Sequence, residues 1–155
     1  MLSTPQPASI TETVVIQAPT AVVWQYLTVP DLMKRWMLDV EMAMAIITDW
    51  QVGTPIVMKG QLHGIAFENS GTVLQYDAEK LLHYTHLSSL SQLPATPENF
   101  CQLEFCLTPT AQTTTLTLTI INFPTMSIFK HLALYWRVAL VGMKKQIEQS
   151  SATGS

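Results

Sequence analysis

The feature that most constrains this chain is a change of hydrophobic period near its C-terminal end. Between residues 115 and 120, apolar residues alternate with threonine, which is typical of a strand with one buried face. After Phe123-Pro124-Thr125, apolar residues recur at intervals of three and four, which predicts an amphipathic helix over about residues 127–149. A long helix with one apolar stripe needs a sheet to cover. The stripe consists of Phe129, Leu132, Trp136, Leu140, Met143 and Ile147.

The rest of the chain supplies the strands of that sheet. Runs rich in β-branched and aromatic residues predict a first strand over 10–17 and further strands over 42–48, 56–62, 67–76, 81–87, 100–107 and 113–121. Turn-forming stretches around Gly53, Gly64, Asp77 and Thr108-Pro109 separate the later strands. Two short helices are predicted between the first two strands, over 21–27 with Thr20 as N-cap and over 31–37. The sequence therefore predicts an α+β fold, with an antiparallel sheet of about six or seven strands and one long C-terminal helix.

The composition indicates that this fold has more apolar surface to cover than an ordinary core requires. Charged residues make up 12% of the chain, about half of the usual ~25%. Soluble monomers rarely leave broad apolar patches in water. An internal pocket, a dimer interface, or both would absorb the surplus.

The charge pattern excludes one large class of partners. The formal net charge is -3, whereas a protein that binds nucleic acid needs clustered Lys and Arg. We therefore expect no nucleic-acid partner.

The first residues form no basic and apolar leader, and no run of about 18 apolar residues occurs, so we expect a cytoplasmic protein with no membrane partner. The length of 155 residues fits one domain over 10–149, with disordered tails over 1–9 and 150–155.

The residue types that catalyse reactions or bind metals are scattered along the chain. No H-E-x-x-H, paired Cys-x-x-Cys, G-x-S-x-G or phosphate-binding glycine loop occurs, so we expect no metal and no cofactor. His83 and His86 are three residues apart in one predicted strand, so their side chains point to opposite faces. Cys101 and Cys106 are also an odd number of residues apart, which favours two free thiols over a disulfide.

The order and spacing of several local patterns resemble the START-like, helix-grip superfamily, also called SRPBCC. Within it, the chain is most similar to the activator of heat-shock-protein-90 ATPase homologue-like proteins, over about residues 10–148. The resemblance implies that the sheet wraps around the closing helix and leaves an apolar cavity between them. At the position before Trp136, where the family has glycine, this chain has Tyr135, which would narrow the cavity or face a partner. The resemblance depends on Ala18–Trp24, Pro30-Asp31, Trp36, Gly53, Gly71-Thr72-Val73, Leu82–Thr85 and Tyr135-Trp136-Arg137.

In a helix-grip fold the apolar stripe of the closing helix and the facing strand residues line the cavity. This implication places fourteen residues at a ligand-binding wall: Met58, Leu62, Val73, Tyr84, His86, Leu103, Phe105, Leu116, Leu118, Phe129, Leu132, Trp136, Leu140 and Met143. Two readings stay open for His86, which either contacts a ligand or lies at a strand end in contact with solvent. Tyr76 and Tyr84 either orient the polar end of a ligand or satisfy their hydroxyls locally.

Three functions follow from this resemblance. The first is non-catalytic binding of a small hydrophobic or amphipathic molecule. The second is a co-chaperone-like or stress-related protein-interaction domain, whose partner is a chaperone or a second copy in a homodimer. The third is a cyclase- or hydratase-like enzyme that uses His86 or Tyr84 as an acid or base.

Overall fold

The computed structural model describes residues 9–37, 44–62 and 64–153. In chain order, the elements are β1 (Ser9–Ile16), α1 (Thr20–Thr28), α2 (Pro30–Met37), β2 (Met44–Ile47), β3 (Pro55–Leu62), β4 (Ile65–Asp77), β5 (Leu81–Ser88), β6 (Cys101–Thr110), β7 (Thr113–Ile121) and α3 (Met126–Thr153). Two short 3-10 turns, Ser89–Ser91 and Pro97–Asn99, lie between β5 and β6. These elements confirm the predicted α+β fold, with two short helices after the first strand and one long helix at the C-terminal end.

The strands form one seven-stranded sheet in the order β1-β7-β6-β5-β4-β3-β2. Neighbouring strands are antiparallel throughout, and β2 to β7 follow one another as a meander. The first strand returns to the end of this meander, where Ser9 pairs with Ile121 and Ile16 with Thr114. The first and last strands of the chain therefore lie side by side.

The apolar stripe of α3 packs on the inner face of this sheet, with Trp136 at the centre. The Trp136 ring contacts Phe105 of β6 at a centroid distance of 5.6 Å and Trp36 of α2 at 6.0 Å. Trp36 is itself held by its Nε1, which donates to the Tyr26 carbonyl at 2.8 Å. The long helix thus packs against the sheet and against the short helices, which confirms the helix-grip arrangement.

A close approach between β4 and β5 explains the Gly71-Thr72-Val73 pattern. A Cβ atom added to Gly71 would lie 1.7 Å from the carbonyl oxygen of Thr85, so no larger residue fits without a shift of the backbone. The Thr72 N–H donates to the Thr85 hydroxyl at 2.8 Å, and the register shifts between Val73 and Gln75. The two strands that supply most of the polar side chains discussed below are therefore bent at this point.

Two local predictions were wrong. The turn expected at Thr108-Pro109 is part of β6, and the chain reverses at Ala111, whose φ is +53°. Because β5 begins only at Leu81, which pairs with Cys106, the end of β6 is locally an edge, where proline is tolerated. Thr20 does not cap α1: Pro19 holds the N-cap position, and the Thr20 hydroxyl donates to Glu79 Oε1 at 3.0 Å.

The expected C-terminal tail is also corrected. Helix α3 continues through Thr153, and the Tyr26 hydroxyl donates to Ser150 Oγ at 3.0 Å, which attaches this last part of the helix to α1. Residues 1–8 and 154–155 of the expected tails, and residues 42 and 43 of the expected second strand, lie outside the described residues. Within the described part of the chain, no helix is long and apolar enough to cross a membrane.

Candidate functional site

A cavity of about 510 Å³ lies between the sheet and the N-terminal half of α3. Strands β3 to β6 form one side, and the first turns of α3 form the other, with Met37 contributed by the end of α2. The wall includes Leu90, which is 48% exposed, and the exposed residues Ser127 and His131, so the cavity opens to solvent at this side. The apolar part of the wall consists of Met37, Met58, Phe67, Leu87, Leu90, Ile128, Leu132, Tyr135 and Trp136.

The two halves of α3 explain why the cavity lies at one end of the fold. In the C-terminal half, Leu140, Met143 and Ile147 are at most 2% exposed and belong to the closed core. In the N-terminal half, the smaller or more polar residues Ser127 and His131 face the same region as Leu132, and they fill it less completely. The same helix therefore closes the core with one half and lines the cavity with the other.

One group of polar side chains at the cavity comes from neighbouring strands. Asn69 of β4 stands opposite Met58 of β3 and opposite Ser88 of β5. His86 lies two residues from Ser88 on the same face of β5 and stands opposite Cys101 of β6. Asn69 and His86 are therefore diagonal neighbours on one face of the sheet. Asn69 Oδ1 is buried and has no hydrogen-bond partner among the described residues.

His86, Cys101 and Tyr84 at the wall are held in their neutral forms at neutral pH. Burial, followed by the proximity of His131, lowers the pKa of His86 to about 4. Burial raises the pKa of the Cys101 thiol to about 11, and burial, with a smaller contribution from Tyr135, raises the pKa of Tyr84 above its ordinary value. Lys, Arg, Asp and Glu are missing from the described wall, so the cavity carries little charge.

Tyr135 occupies the position where the resemblance implies glycine. Its hydroxyl donates to the Met37 carbonyl at 2.6 Å, which connects α3 to the end of α2. Its ring packs edge-on against Trp136 at 5.2 Å and stacks on His131 at 6.2 Å. Burial raises the pKa of the phenol to about 12. Because the ring is part of the wall, the Tyr135 side chain takes up volume that a glycine would leave to the cavity.

The structure brings five of the fourteen residues expected at the wall to the cavity: Met58, Tyr84, His86, Leu132 and Trp136. Eight others lie in or against the packed core instead, because α3 and the strands meet there directly: Val73, Leu103, Phe105, Leu116, Leu118, Phe129, Leu140 and Met143. The side chain of the remaining residue, Leu62, lies outside the described part of the structure.

The strand-parity predictions are confirmed. His83 points away from the cavity and hydrogen-bonds Gln102 at 3.2 Å, whereas His86 lines the wall. Cys101 is buried and Cys106 is half-buried, and both are free.

Tyr76 satisfies its hydroxyl locally, since it accepts a hydrogen bond from Trp24 Nε1 at 3.3 Å. Among residues 9–37, 44–62 and 64–153, no group of three or more His, Cys, Asp or Glu side chains could hold a metal ion.

Sequence reasoning did not identify Asn69 and Cys101 as wall residues. Asn69 lies two residues from Phe67 on the inner face of β4, and Cys101 lies two residues from Leu103 on the inner face of β6. Each is a polar or sulfur-containing residue in an otherwise apolar register. That exception to the alternation was the available signal.

Comparisons with known proteins agree with this architecture. The family described as Activator of Hsp90 ATPase homolog 1-like protein matches residues 17–148. The chain belongs to this family. The fold of the family is that of the START-like, or SRPBCC, superfamily. A comparison with curated proteins finds no match.

Several solved structures share the fold along nearly their whole length. The solution structure of a protein from Cytophaga hutchinsonii is 31% identical, with a TM-score of 0.79, and the match covers 97% of this chain and 100% of that one. A crystal structure from Nitrosomonas europaea is 24% identical, with a TM-score of 0.75 and coverage of 95% and 99%. A crystal structure from Chromobacterium violaceum is 18% identical, with a TM-score of 0.79 and coverage of 92% and 99%. The last two similarities concern the fold alone.

Proposed function

We propose that this protein binds a small hydrophobic or amphipathic molecule in the cavity beneath the N-terminal half of α3, without changing it chemically. The observation that carries the proposal is the cavity itself, whose volume of about 510 Å³ falls within the range of roughly 300–1,000 Å³ typical of small-molecule sites. Its wall is mostly apolar, with polar groups on β4 and β5, in the turns between β5 and β6, and at the beginning of α3. Such a wall binds an apolar body by burial and orients it through a few hydrogen bonds.

The ionisation of the wall residues favours binding over a cyclase- or hydratase-like reaction. General acid–base catalysis is most efficient when the pKa of the group lies near the working pH. Burial moves the pKa of His86 down to about 4 and moves that of Tyr84 upward, so both groups move away from neutrality. A neutral imidazole and a neutral phenol are better suited to donating and accepting hydrogen bonds than to transferring protons here.

Native mass spectrometry and thermal shift with a panel of lipids and aromatic metabolites test the proposal. We expect at least one ligand class to be retained in the gas phase and to raise the melting temperature, because a ligand that binds only the folded state stabilises it by mass action. The Leu132→Trp variant replaces a leucine of the cavity wall with the bulkier indole side chain of tryptophan. This variant should lose the binding. Leu134→Trp, two residues along on the exposed side of the same helix, is the matched control and should keep it.

The binding proposal fails if no panel member binds the unaltered protein. It also fails if the Leu132→Trp and Leu134→Trp proteins bind equally well, since the ligand would then lie elsewhere. Both variants are first compared with the unaltered protein by circular dichroism, so that a loss of binding is not confused with unfolding.

A second candidate function is a co-chaperone-like, stress-related interaction. Family membership supports it, together with an exposed apolar stripe on the outer side of α3. Leu134, Val138 and Val141 follow one another at intervals of four and three, and they are 66%, 64% and 47% exposed. Apolar residues contiguous on one helix face are typical of protein interaction sites.

Pull-down with an Hsp90-type chaperone, combined with measurement of its ATPase rate, tests this second function. The expected result is capture and a changed rate with the unaltered protein, and loss of both with Val138→Asp. Sedimentation of the protein alone distinguishes a homodimer through the same face. An unchanged ATPase rate and no capture would remove the chaperone role. Either function fits a cytoplasmic protein, because Cys101 and Cys106 are both free thiols.

A further inference from the structure

The strongest additional signal in the molecule is the buried, unpartnered oxygen of Asn69 at the cavity wall. No donor among the described residues reaches Oδ1. A buried acceptor without a partner is destabilising, so native structures rarely leave one without a reason. The terminal torsion of an asparagine side chain is soft, so the amide can turn its oxygen toward a donor inside the cavity.

The surroundings of Asn69 define what such a donor can belong to. Met58, Asn69 and Ser88 form a row across β3, β4 and β5, and His86 is the diagonal neighbour of Asn69 on the same face. Ser88 is already engaged: its hydroxyl accepts from the Leu90 N–H at 3.2 Å, and its carbonyl accepts from the Ser91 hydroxyl at 2.7 Å. The Ser88 hydroxyl keeps its own O–H as a donor, so Asn69 Oδ1 and the neutral imidazole of His86 are the acceptors that we place against a ligand donor at this end of the cavity.

The buried part of the wall offers a ligand charge no oppositely charged side chain, because His131 lies exposed at the mouth. The described residues of the wall include no Lys, Arg, Asp or Glu. The beginning of α3, where backbone N–H groups would attract an anion, is capped, since the Ile128 N–H donates to Thr125 Oγ1 at 3.1 Å. His86 is kept neutral by its burial, with a pKa of about 4. Burying an unpaired carboxylate or ammonium group is far more costly than burying a hydroxyl that is hydrogen-bonded.

We infer that the preferred ligand is an uncharged amphipathic molecule with a hydroxyl or similar donor, which hydrogen-bonds Asn69 and His86 while its apolar body lies against Met58, Phe67 and Trp136. A hydroxyl suits this pair because it donates to the Asn69 oxygen and also exchanges a hydrogen bond with the imidazole of His86. A carboxylate offers only acceptors and leaves the Asn69 oxygen unpaired. This inference rests on the proposed binding function and specifies the ligand class.

A matched series of ten-carbon ligands tests it, read by displacement of the neutral fluorophore N-phenyl-1-naphthylamine. Decan-1-ol carries the donor, its methyl ether lacks the donor, decanoate carries a negative charge and decylammonium a positive one. We expect decan-1-ol to bind about tenfold more tightly than the ether, the difference that one satisfied hydrogen bond provides. Both charged ligands should bind more weakly still.

Asn69→Leu locates the effect. It should remove most of the preference for alcohol over ether, and it should raise the melting temperature of the protein alone because it removes the unsatisfied oxygen. Gln75→Leu makes the same amide-to-leucine exchange at an exposed position of β4, and it should keep the preference. The ligand series on the unaltered protein remains decisive even if Asn69→Leu fails to fold.

The outcomes separate this inference from the function on which it rests. If the fluorophore and all four ligands fail to bind, the binding function fails and the ligand class fails with it. If the ether binds as tightly as the alcohol, or decanoate binds more tightly, the binding function stands and the ligand class is overturned. A preference for decanoate that disappears in His131→Gln would show that the polar end lies at the mouth beside His131 and not at Asn69.

Discussion

His86 is a wall residue whose ionisation is altered by its place in the fold. Burial is the larger cause and the neighbouring His131 the smaller one, and both favour the uncharged imidazole. An uncharged imidazole keeps one donor and one acceptor, which allows it to serve different ligand groups. The same ionisation makes the stability of the protein depend on pH.

His86 should make the stability fall on acidification. The pKa of His86 is about 4 in the folded protein, against an ordinary value of 6.5. Between these values the unfolded chain binds a proton that the folded protein does not, so the stabilisation is complete above pH 6.5 and is lost as the pH falls toward 4. The loss amounts to at most about 3 kcal/mol. Urea unfolding across this pH range measures it.

His86→Gln should flatten the pH dependence of the unfolding free energy. His83→Gln, on the opposite face of the same strand, is the control and should retain the dependence of the unaltered protein. If His86→Gln and the unaltered protein lose stability in parallel on acidification, the account of His86 as a buried neutral residue is wrong.

Individual side chains show both the reach and the limit of sequence reasoning. The parity of β5 was sufficient to separate His83 from His86, because the strand period of two is geometric. Parity also assigned Leu103 and Phe105 correctly to the inner face, but it could not decide whether they meet the cavity or another side chain. That distinction depends on the packing of distant elements. It is not encoded in the local period.

The two halves of the long helix α3 pack against different surroundings. Its C-terminal half packs on the core through Leu140, Met143 and Ile147, whereas its N-terminal half borders the cavity. Polar contacts also join α3 to β1, such as Lys144 Nζ to the Val15 carbonyl at 2.6 Å and Arg137 to Glu12 at 3.3 Å. Exposed ion pairs contribute little, so the apolar stripe supplies most of the attachment.

Truncation of two leucines on α3 should separate these faces. Leu140→Ala should destabilise the protein by about 2–5 kcal/mol, because it leaves a void in a packed core. Leu134→Ala should change the unfolding free energy by less than about 0.5 kcal/mol, because Leu134 is largely exposed. Denaturant unfolding of the two variants gives both values. Equal losses would mean that the outer side of α3 is buried, for example between two copies of the protein.

The elements themselves were largely predictable, and their ends were not. The alternation in β7 and the stripe in α3 identified these elements because each buries one face. The ends of β6 and α3 depend on contacts between elements. Strand β6 extends beyond its neighbour β5 and includes Pro109, and the end of α3 is held by the hydrogen bond between Tyr26 and Ser150. Local sequence carries no signal for either contact.

At the scale of the whole molecule, the cavity is a consequence of how one helix crosses one bent sheet. The number of strands and the position of the long helix could be predicted from the sequence pattern. The expectation of a cavity beneath the helix came only from the family resemblance. Tyr135 shapes the cavity, because its ring is part of the wall and its hydroxyl contacts the end of α2. Five of the expected wall residues meet the cavity and eight lie in the core because of the way distant elements pack together.

Methyl-resolved NMR during titration with decan-1-ol tests the central claim most directly. Leu132 and Leu134 are two residues apart on α3, one at the cavity wall and the other on the exposed side. The account predicts saturable shifts of the Leu132 and Met58 methyl signals, with the Leu134 and Val138 signals unchanged. Shifts confined to Leu134 and Val138, or no saturable shift at Leu132 and Met58, would contradict a ligand site beneath α3.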